Sequence, residues 1–166
     1  MAVVTVKSTQ ITNRDAVPAV FSTGVQGNAV FHARGVCAIT SGNLVGSRYI
    51  ACSVPSNAVV LSVRGSAPDI GVTTAADIGL YRNTADGGAV VSAAFFASAQ
   101  ALNAGPYLKL EVSQESGTYT LANMEKPLWQ ALGLTKDPQI MYDVAATLTG
   151  AADGAGNLLL EVDYTV

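Results

Sequence analysis

The end of the chain, from Ile140 to Val166, alternates apolar and polar side chains in two runs separated by the turn sequence GAADGAG. Successive residues of a β-strand point to opposite faces of the sheet, so this period of two predicts two strands with one buried face each. Two such strands joined by a short glycine-rich turn are typical of an antiparallel hairpin. The residues predicted to face inward are Tyr142, Val144, Ala146, Leu148, Leu158, Leu160, Val162 and Tyr164.

The same alternation recurs in short segments earlier in the chain, divided by Gly, Asn, Ser and Pro. About eight segments of this kind predict an all-β fold, an antiparallel β-sandwich of jelly-roll-like arrangement. The inward faces predicted for three of them are Phe31, Ala33, Gly35, Cys37 and Ile39, then Val59, Leu61 and Val63, then Ile78 and Leu80.

Two segments interrupt the strand pattern and predict two short helical inserts. Val91–Leu102 is rich in alanine, Ser92 is a plausible N-cap, and Phe95 lies at helical spacing from the apolar residues that follow. Asn123–Leu134 has a capping residue at its start and a glycine near its end. Leu128, Trp129 and Leu132 are predicted to form its buried stripe, with Trp129 as an anchor in the core.

The glycine pair Gly87-Gly88 follows an apolar strand and precedes small apolar residues, which is also the outline of a phosphate-binding loop. That loop requires a Gly-Lys-Ser/Thr sequence, or the Gly-x-Gly-x-x-Gly spacing, and neither occurs here. A tight turn built on Asp86-Gly87 is the better interpretation, because glycine accepts positive φ.

No constellation of catalytic or metal-binding residues is visible in the sequence. The single histidine, His32, has no catalytic signature around it, and the loop near Asp153 lacks the spacing of a calcium site. Cys37 and Cys52 are predicted to be free buried thiols, and the carboxylates Asp143, Glu161 and Asp163 are expected on solvated faces. The sequence thus predicts no enzyme, no cofactor and no metal.

Charged residues make up 13% of the chain and hydrophobic residues 49%, which is little charge for a free monomer. The net charge is −3 and no basic stripe is present, so direct binding to nucleic acid is not expected. The apolar runs are too short to span a membrane, and the N-terminus lacks the apolar core of a signal peptide. These features predict a protein made in the cytoplasm whose surface is bland or covered by partners.

Residues 1–27 are expected to form an N-terminal arm, or a first strand, followed by a linker, and residues 28–166 the β-sandwich domain. An arm would extend a neighbour's sheet by adding a strand to its edge. The residues proposed to contact a neighbouring subunit or a capsid are Val4, Val6 and Ile11 as anchors, and Asn13, Arg14 and Asp15 as polar contacts that set the register.

Five segments occur in an order that resembles a family of small virion structural proteins of tailed bacteriophages. They are ITNRDAVP, ACSVPSNAVV, DIGLYRNTADGGAVVSAAFFASAQAL, EKPLWQALGLTKDP and YDVAATLTGAADGAGNLLLEVDY. The resemblance implies a decoration or cement protein on the capsid exterior, with the major capsid protein as partner. It also implies a homo-oligomer, a trimer or dimer at local symmetry axes, made in the host cytoplasm and located in the virion.

Two alternatives remain open from the sequence. The first is another structural position in the particle, in the tail or at the head–tail junction. The second is a carbohydrate-binding module displayed on the particle, for which Tyr81, Tyr107 and Tyr119 would be the exposed aromatic residues.

Overall fold

The structure is a computed structural model that describes residues 3–7, 11–12, 15–16, 29–103 and 108–166. Within these residues the chain is mostly β-strand. It also has a short α-helix, α1 (Leu128–Ala131), two 3₁₀ turns, and helical residues at Ile11, Thr12 and Asp15. The strands are β1 (Thr5–Lys7), β2 (Phe31–Ile39), β3 (Arg48–Pro55), β4 (Val59–Ala67), β5 (Ala75–Arg82), β6 (Val90–Ala101), β7 (Leu108–Glu111), β8 (Met141–Leu148) and β9 (Gly156–Thr165).

The strand pairing is nested, because β5 pairs with β6, β4 with β7, β3 with β8 and β2 with β9, all antiparallel. Further pairs, β5 with β8 and β4 with β9, join these ribbons into two sheets. One sheet has the order β1-β3-β8-β5-β6 and the other β2-β9-β4-β7. This is the double-sheet jelly roll, and the predicted all-β sandwich is confirmed.

The core lies between the two sheets and is formed by their inward faces. The alternation predicted for the C-terminal strands is confirmed, since their predicted inward residues are buried, apart from Tyr164, which packs partly buried against the core. The predicted hairpin is wrong, because β8 belongs to the five-stranded sheet and β9 to the four-stranded sheet. Alternation reveals that one face of each strand is buried, but it does not identify the neighbour that each strand pairs with.

The inward face of β4 differs from the prediction because of a β-bulge. The register of β4 against β9 shifts between Val60 and Ser62, so the residues before and after this point alternate out of phase. Val60 and Val63 are buried, whereas Leu61, predicted to face inward, is 39% exposed. For β2 the predicted face is correct, with Ala33, Cys37 and Ile39 buried.

The first predicted helical insert is wrong, since Val91–Leu102 falls almost entirely in strand β6. The second prediction is partly confirmed, because a 3₁₀ turn (Leu121–Asn123) and α1 lie within or next to Asn123–Leu134. In that region Leu128 is fully buried, whereas Trp129 is only partly buried. The predicted burial is therefore confirmed for Leu128, which anchors the helix where Trp129 was expected to do so.

Candidate interaction surfaces

The outer face of the five-stranded sheet carries a small apolar cluster separate from the main core. Ile50 on β3, Tyr81 on β5 and Ala145 on β8 meet there, and Ile11 from the N-terminal segment packs onto them. Ile11 is only 1% exposed. The N-terminal segment thus covers the outer face of its own sheet at this point, and this covering buries apolar side chains that point away from the core.

Arg48 links this cluster to the turn that contains the glycine pair. Its guanidinium lies 4.0 Å from the centre of the Tyr81 ring, and Nη1 donates to the carbonyl oxygen of Gly88 at 3.1 Å. The Tyr81 hydroxyl is 2.5 Å from Oγ1 of Thr147. Tyr81 therefore uses both its ring face and its hydroxyl within the chain, and the cation–π contact keeps the arginine side chain in place.

Some of the N-terminal residues singled out from the sequence are described, and Val4, Val6 and Ile11 among them lie along the edge and face of this sheet. Val4 accepts a hydrogen bond at its carbonyl oxygen from Arg48 N (2.9 Å), and β1 pairs in parallel with β3. Val6 packs against the main core, and Lys7 Nζ lies 2.5 Å from Oδ2 of Asp15. Asn13 and Arg14 lie outside the described residues.

Asp143 does not lie on a solvated face as the alternation suggested. It is fully buried on the outward side of β8, where the Ser53 hydroxyl donates to its Oδ1 at 2.6 Å. The sequence pattern predicted correctly that Asp143 points away from the core. Whether another segment of the chain covers the outward side of β8 depends on the tertiary structure.

The outer face of the four-stranded sheet carries a charged cluster centred on Asp163 of β9. His32 Nδ1 lies 2.6 Å from its Oδ1, whereas the Ser62 hydroxyl (3.0 Å) and Arg64 Nη2 (2.7 Å) donate to its Oδ2. Glu161 Oε1 lies 3.5 Å from the other imidazole nitrogen. These residues are neighbours because β9 runs between β2 and β4 in this sheet.

This cluster lacks the order of contacts that nucleophilic catalysis requires. In a catalytic triad the imidazole lies between the hydroxyl and the carboxylate, so that it takes the hydroxyl proton. Here the Ser62 hydroxyl bonds to the carboxylate of Asp163, and both imidazole nitrogens of His32 face carboxylates. The arrangement is an ion-pair network across three strands, which stabilises their register.

The contacts of Asp163 lower its pKa below the ordinary value of 3.8, chiefly through the hydrogen bond with His32, with Ser62 and Arg64 assisting against partial desolvation. A carboxyl whose pKa is lower in the folded state than in the unfolded state stabilises the fold at pH values above its unfolded-state pKa. That stabilisation is lost as the pH falls through the folded-state pKa.

We expect Asp163→Asn to lower the free energy of unfolding at pH 7 by about 1 kcal/mol, as for a surface ion-pair network. The difference from the wild type should narrow as the pH falls below about 4, because the wild-type carboxylate is then protonated too. Chemical denaturation of both proteins between pH 7 and pH 2 measures this. Asp86→Asn, in an exposed turn outside the cluster, is the control, and a pH-independent difference for Asp163→Asn would contradict the assignment.

One end of the sandwich is closed by hydrogen bonds among three loops. Asp153 accepts hydrogen bonds from Thr73 N (3.4 Å) and the Thr74 hydroxyl (3.0 Å), and Gly42 N donates to the Ala152 carbonyl (2.7 Å). Desolvation opposes ionisation of Asp153, but the hydrogen bonds from Thr74 and Thr73 outweigh it and lower its pKa. Its carboxylate thus has a structural role, tying loops together.

Within the described part of the chain, no group of three or more His, Cys, Asp or Glu side chains could hold a metal ion. The same residues include no helix long and apolar enough to cross a membrane. Cys37 and Cys52 are free and buried, as predicted, and burial raises the pKa of Cys37 to about 11. A thiol that stays protonated at neutral pH is a poor nucleophile.

An open depression of about 420 Å³ lies beside β7, lined by Leu61, Glu111, Ser113, Gln114, Glu115 and Met124. Its carboxylates cap backbone groups. Glu111 Oε1 accepts from Ser113 N (3.1 Å) and from the Ser113 hydroxyl, and Glu115 Oε2 accepts from Ser98 N (2.6 Å). These contacts explain the two acidic side chains without a ligand.

The glycine pair forms the turn that was predicted. Asn83 caps a 3₁₀ turn, Thr84–Asp86, by accepting a hydrogen bond from Asp86 N at 2.8 Å. Gly87 and Gly88 follow with φ of 89° and 62°, which glycine adopts without steric strain. The turn leads into strand β6 instead of the predicted helix, so the segment is a β-hairpin between β5 and β6.

Two of the three tyrosines proposed as a carbohydrate-binding surface are not exposed. Tyr81 is 2% exposed and Tyr119 is fully buried, with its hydroxyl donating to the Val60 carbonyl at 2.9 Å. Tyr107 lies outside the described residues. Sugar binding by stacking requires exposed rings, so this structure removes the basis for two of the three residues.

Comparison with known proteins gives a likeness of fold. No family model matches the chain, and no curated protein matches it. Among solved structures, a chain of the "Cyanophage Pam1 capsid asymmetric unit" aligns with a TM-score of 0.53 and 17% sequence identity. The alignment covers 92% of this chain and 96% of that chain, so the likeness of fold extends over most of both chains.

Proposed function

We propose that this chain is a non-enzymatic structural protein of a phage virion. In the specific form of the proposal, it is a decoration or cement protein that binds the outside of the head and stabilises contacts between capsomers. The observation that carries the proposal is the jelly roll shared, over 92% of this chain, with a chain of a phage capsid asymmetric unit. The order of the five sequence segments that resemble small phage virion proteins supports it independently.

The chemistry of the described surfaces is consistent with such a role. The polar clusters around Asp163 and Asp153 are occupied by contacts within the chain, which build a rigid unit. The low charged fraction of 13% suits a protein that buries surface against partners, since few charged side chains then have to be desolvated at the interface. Many copies on one shell act together, so each contact can be weak and the shell still gains stability.

The N-terminal segment is the proposed contact region. Val4, Val6 and Ile11 contact their own chain, so a docked segment, and not a free arm, would present the contact surface. Asn13, Arg14 and Asp15 complete the proposed region. In this form of the proposal, the intramolecular docking of Ile11 precedes binding to the shell or to a neighbouring subunit.

The proposal is tested with phage heads that lack this protein. Purified protein should bind such heads in roughly hundreds of copies, because a cement protein occupies positions that repeat with the symmetry of the shell. Binding should also raise the temperature at which the heads release DNA. Electron microscopy of the particles gives the copy number and position, and a fluorescent DNA dye gives the release temperature. An unchanged release temperature contradicts the cement role, and about a dozen copies or fewer at one vertex would indicate the head–tail junction.

We expect Ile11→Asp to detach the N-terminal segment, because a carboxylate cannot be buried among Ile50, Tyr81 and Ala145 without a partner. The free energy of unfolding should fall by about 2–4 kcal/mol, and binding to heads should weaken. Calorimetry and a head-sedimentation assay, below the melting temperature of the variant, measure the two effects.

Leu121→Asp is the matched control, because it makes the same chemical change at a side chain that is 75% exposed. It should leave stability and head binding near the wild-type values. Wild-type head binding by folded Ile11→Asp would exclude the N-terminal segment from the contact.

A further inference from the structure

The described strands leave four sheet edges, formed by β1 and β6 in one sheet and by β2 and β7 in the other. Edge strands expose backbone N–H and C=O groups that can pair with another chain, unless the edge is short or bulged. β1 has three residues, β7 has four, and the register of β6 against β5 shifts at three points. Each of these three edges is therefore a poor template for a further strand.

β2 is different from the other edges. It has nine residues, contains no proline and keeps a continuous register with β9 from Phe31 to Ile39. Across the described residues, its backbone hydrogen-bonds to β9 alone. A long, regular, unpaired edge of this kind is the form that accepts a strand from another chain.

We propose that β2 is a self-association edge, on which β2 of a second copy of this chain pairs in antiparallel orientation. The two strands would be related by a two-fold axis at Gly35, and the two four-stranded sheets would become one continuous sheet. A two-fold contact uses the same surface on both copies, so β2 must be compatible with itself.

The side chains of β2 meet this requirement in the register centred on Gly35. On the outward face, Arg34 lies opposite Val36 of the second copy, and His32 lies opposite Ala38. No like charges are opposed in this register. A shift of two residues in one direction would place Arg34 opposite Arg34 of the second copy, and a shift in the other direction would leave one end of each strand unpaired. Val36 is 51% exposed, and the aliphatic part of the opposing arginine would cover it.

The neighbouring strand removes the remaining electrostatic obstacle. Both imidazole nitrogens of His32 already face carboxylates of its own chain, Asp163 and Glu161, so His32 leaves no unmatched polar group for the second copy to satisfy. Arg34 makes no ion pair among the described residues and is exposed, which leaves its side chain available to the second copy. The self-pairing is a property of the isolated chain, so its failure would leave the proposed virion role standing, and the reverse also holds.

The test uses residues 34 and 36, because residue 34 of each copy lies opposite residue 36 of the other, which gives two such pairs in each dimer. Val36→Lys places like charges opposite Arg34 and should weaken the dimer roughly ten-fold, whereas Val36→Glu places opposite charges there and should strengthen it by a similar factor. Sedimentation equilibrium over a wide concentration range measures the dimer dissociation constant of the wild type and the variants. Leu61→Lys and Leu61→Glu, at a partly exposed residue on β4, are the controls and should change it little.

A disulfide test checks the register directly. Opposed side chains have Cβ atoms within about 4.5–5.5 Å, close to the distance that a disulfide spans, whereas diagonal ones are about 7–8 Å apart. A mixture of Arg34→Cys and Val36→Cys proteins should therefore form linked dimers under mild oxidation, and each protein alone should form few. A wild type that stays monomeric at all concentrations, or equal dissociation constants for Val36→Lys and Val36→Glu, would overturn the proposal.

Discussion

Replacing Gly79 by alanine is expected to destabilise the protein strongly. A Cβ at this position would lie 2.1 Å from the carbonyl oxygen of Ser92 and 2.3 Å from that of Ala93. Both contacts are with backbone of β6, so no side-chain rotation can relieve them. We expect the free energy of unfolding to fall by more than about 3 kcal/mol, at the upper end of overpacking effects.

The close approach arises from the irregular pairing of β5 with β6. Ile78 pairs with Ala97 and Leu80 with Ser92, so Ala93–Phe96 lie opposite the single residue Gly79. This bulge brings the backbone of β6 against Gly79, which is a recognised reason for glycine inside a strand. The glycine is required by this approach, and not by a turn.

Gly65→Ala is the control for this prediction. Gly65 lies inside β4, and a Cβ there would meet only the Cδ2 atom of Leu160 at 3.7 Å, which is an ordinary contact. Its free energy of unfolding should stay within about 1 kcal/mol of the wild type. Guanidinium denaturation measures both variants, and similar values for the two would show that β6 yields at the bulge.

Replacing Phe96 by alanine is the second change with a large expected effect. Phe95, Phe96 and Tyr119 form a three-ring cluster with centroids 5.0 to 5.4 Å apart, and Phe96 is fully buried. Deleting a buried phenyl group removes about 3–5 kcal/mol of stability through lost burial and the cavity left behind. Denaturant unfolding monitored by far-UV circular dichroism should show this loss.

Tyr119→Phe is the matched control in the same cluster. It keeps the ring and removes only the hydroxyl that donates to the Val60 carbonyl at 2.9 Å. We expect a loss of about 1–2 kcal/mol, since one buried hydrogen bond is removed and the ring packing stays. Equal losses in Phe96→Ala and Tyr119→Phe would contradict the assignment of the cluster to the core.

The β6 segment shows why the helix prediction was wrong. Alanine content and a serine at the start favour a helix locally, and two adjacent phenylalanines do not fit the alternation of a regular strand. In the structure, the bulge opposite Gly79 turns both Phe95 and Phe96 into the core. A bulge depends on the partner strand, so no pattern within the segment could reveal it.

The charged cluster was only partly predictable in the same sense. Alternation correctly indicated that His32, Glu161 and Asp163 point away from the core, because each lies between inward-facing apolar residues. Their meeting depends on β9 lying between β2 and β4, which are distant in sequence. The same limit explains Asp143, whose outward side was predicted correctly but whose burial was not.

The sequence by itself determined the fold class, the inward faces of β2, β5, β8 and β9, and the turn at Gly87-Gly88. These features follow from local rules, because the period of side-chain direction and the φ preference of glycine act within a few residues. Only the tertiary structure decided which strands pair, where the bulges lie and which outward residues are covered. Those outcomes depend on contacts between distant segments, since a strand can bury the same face against several possible neighbours.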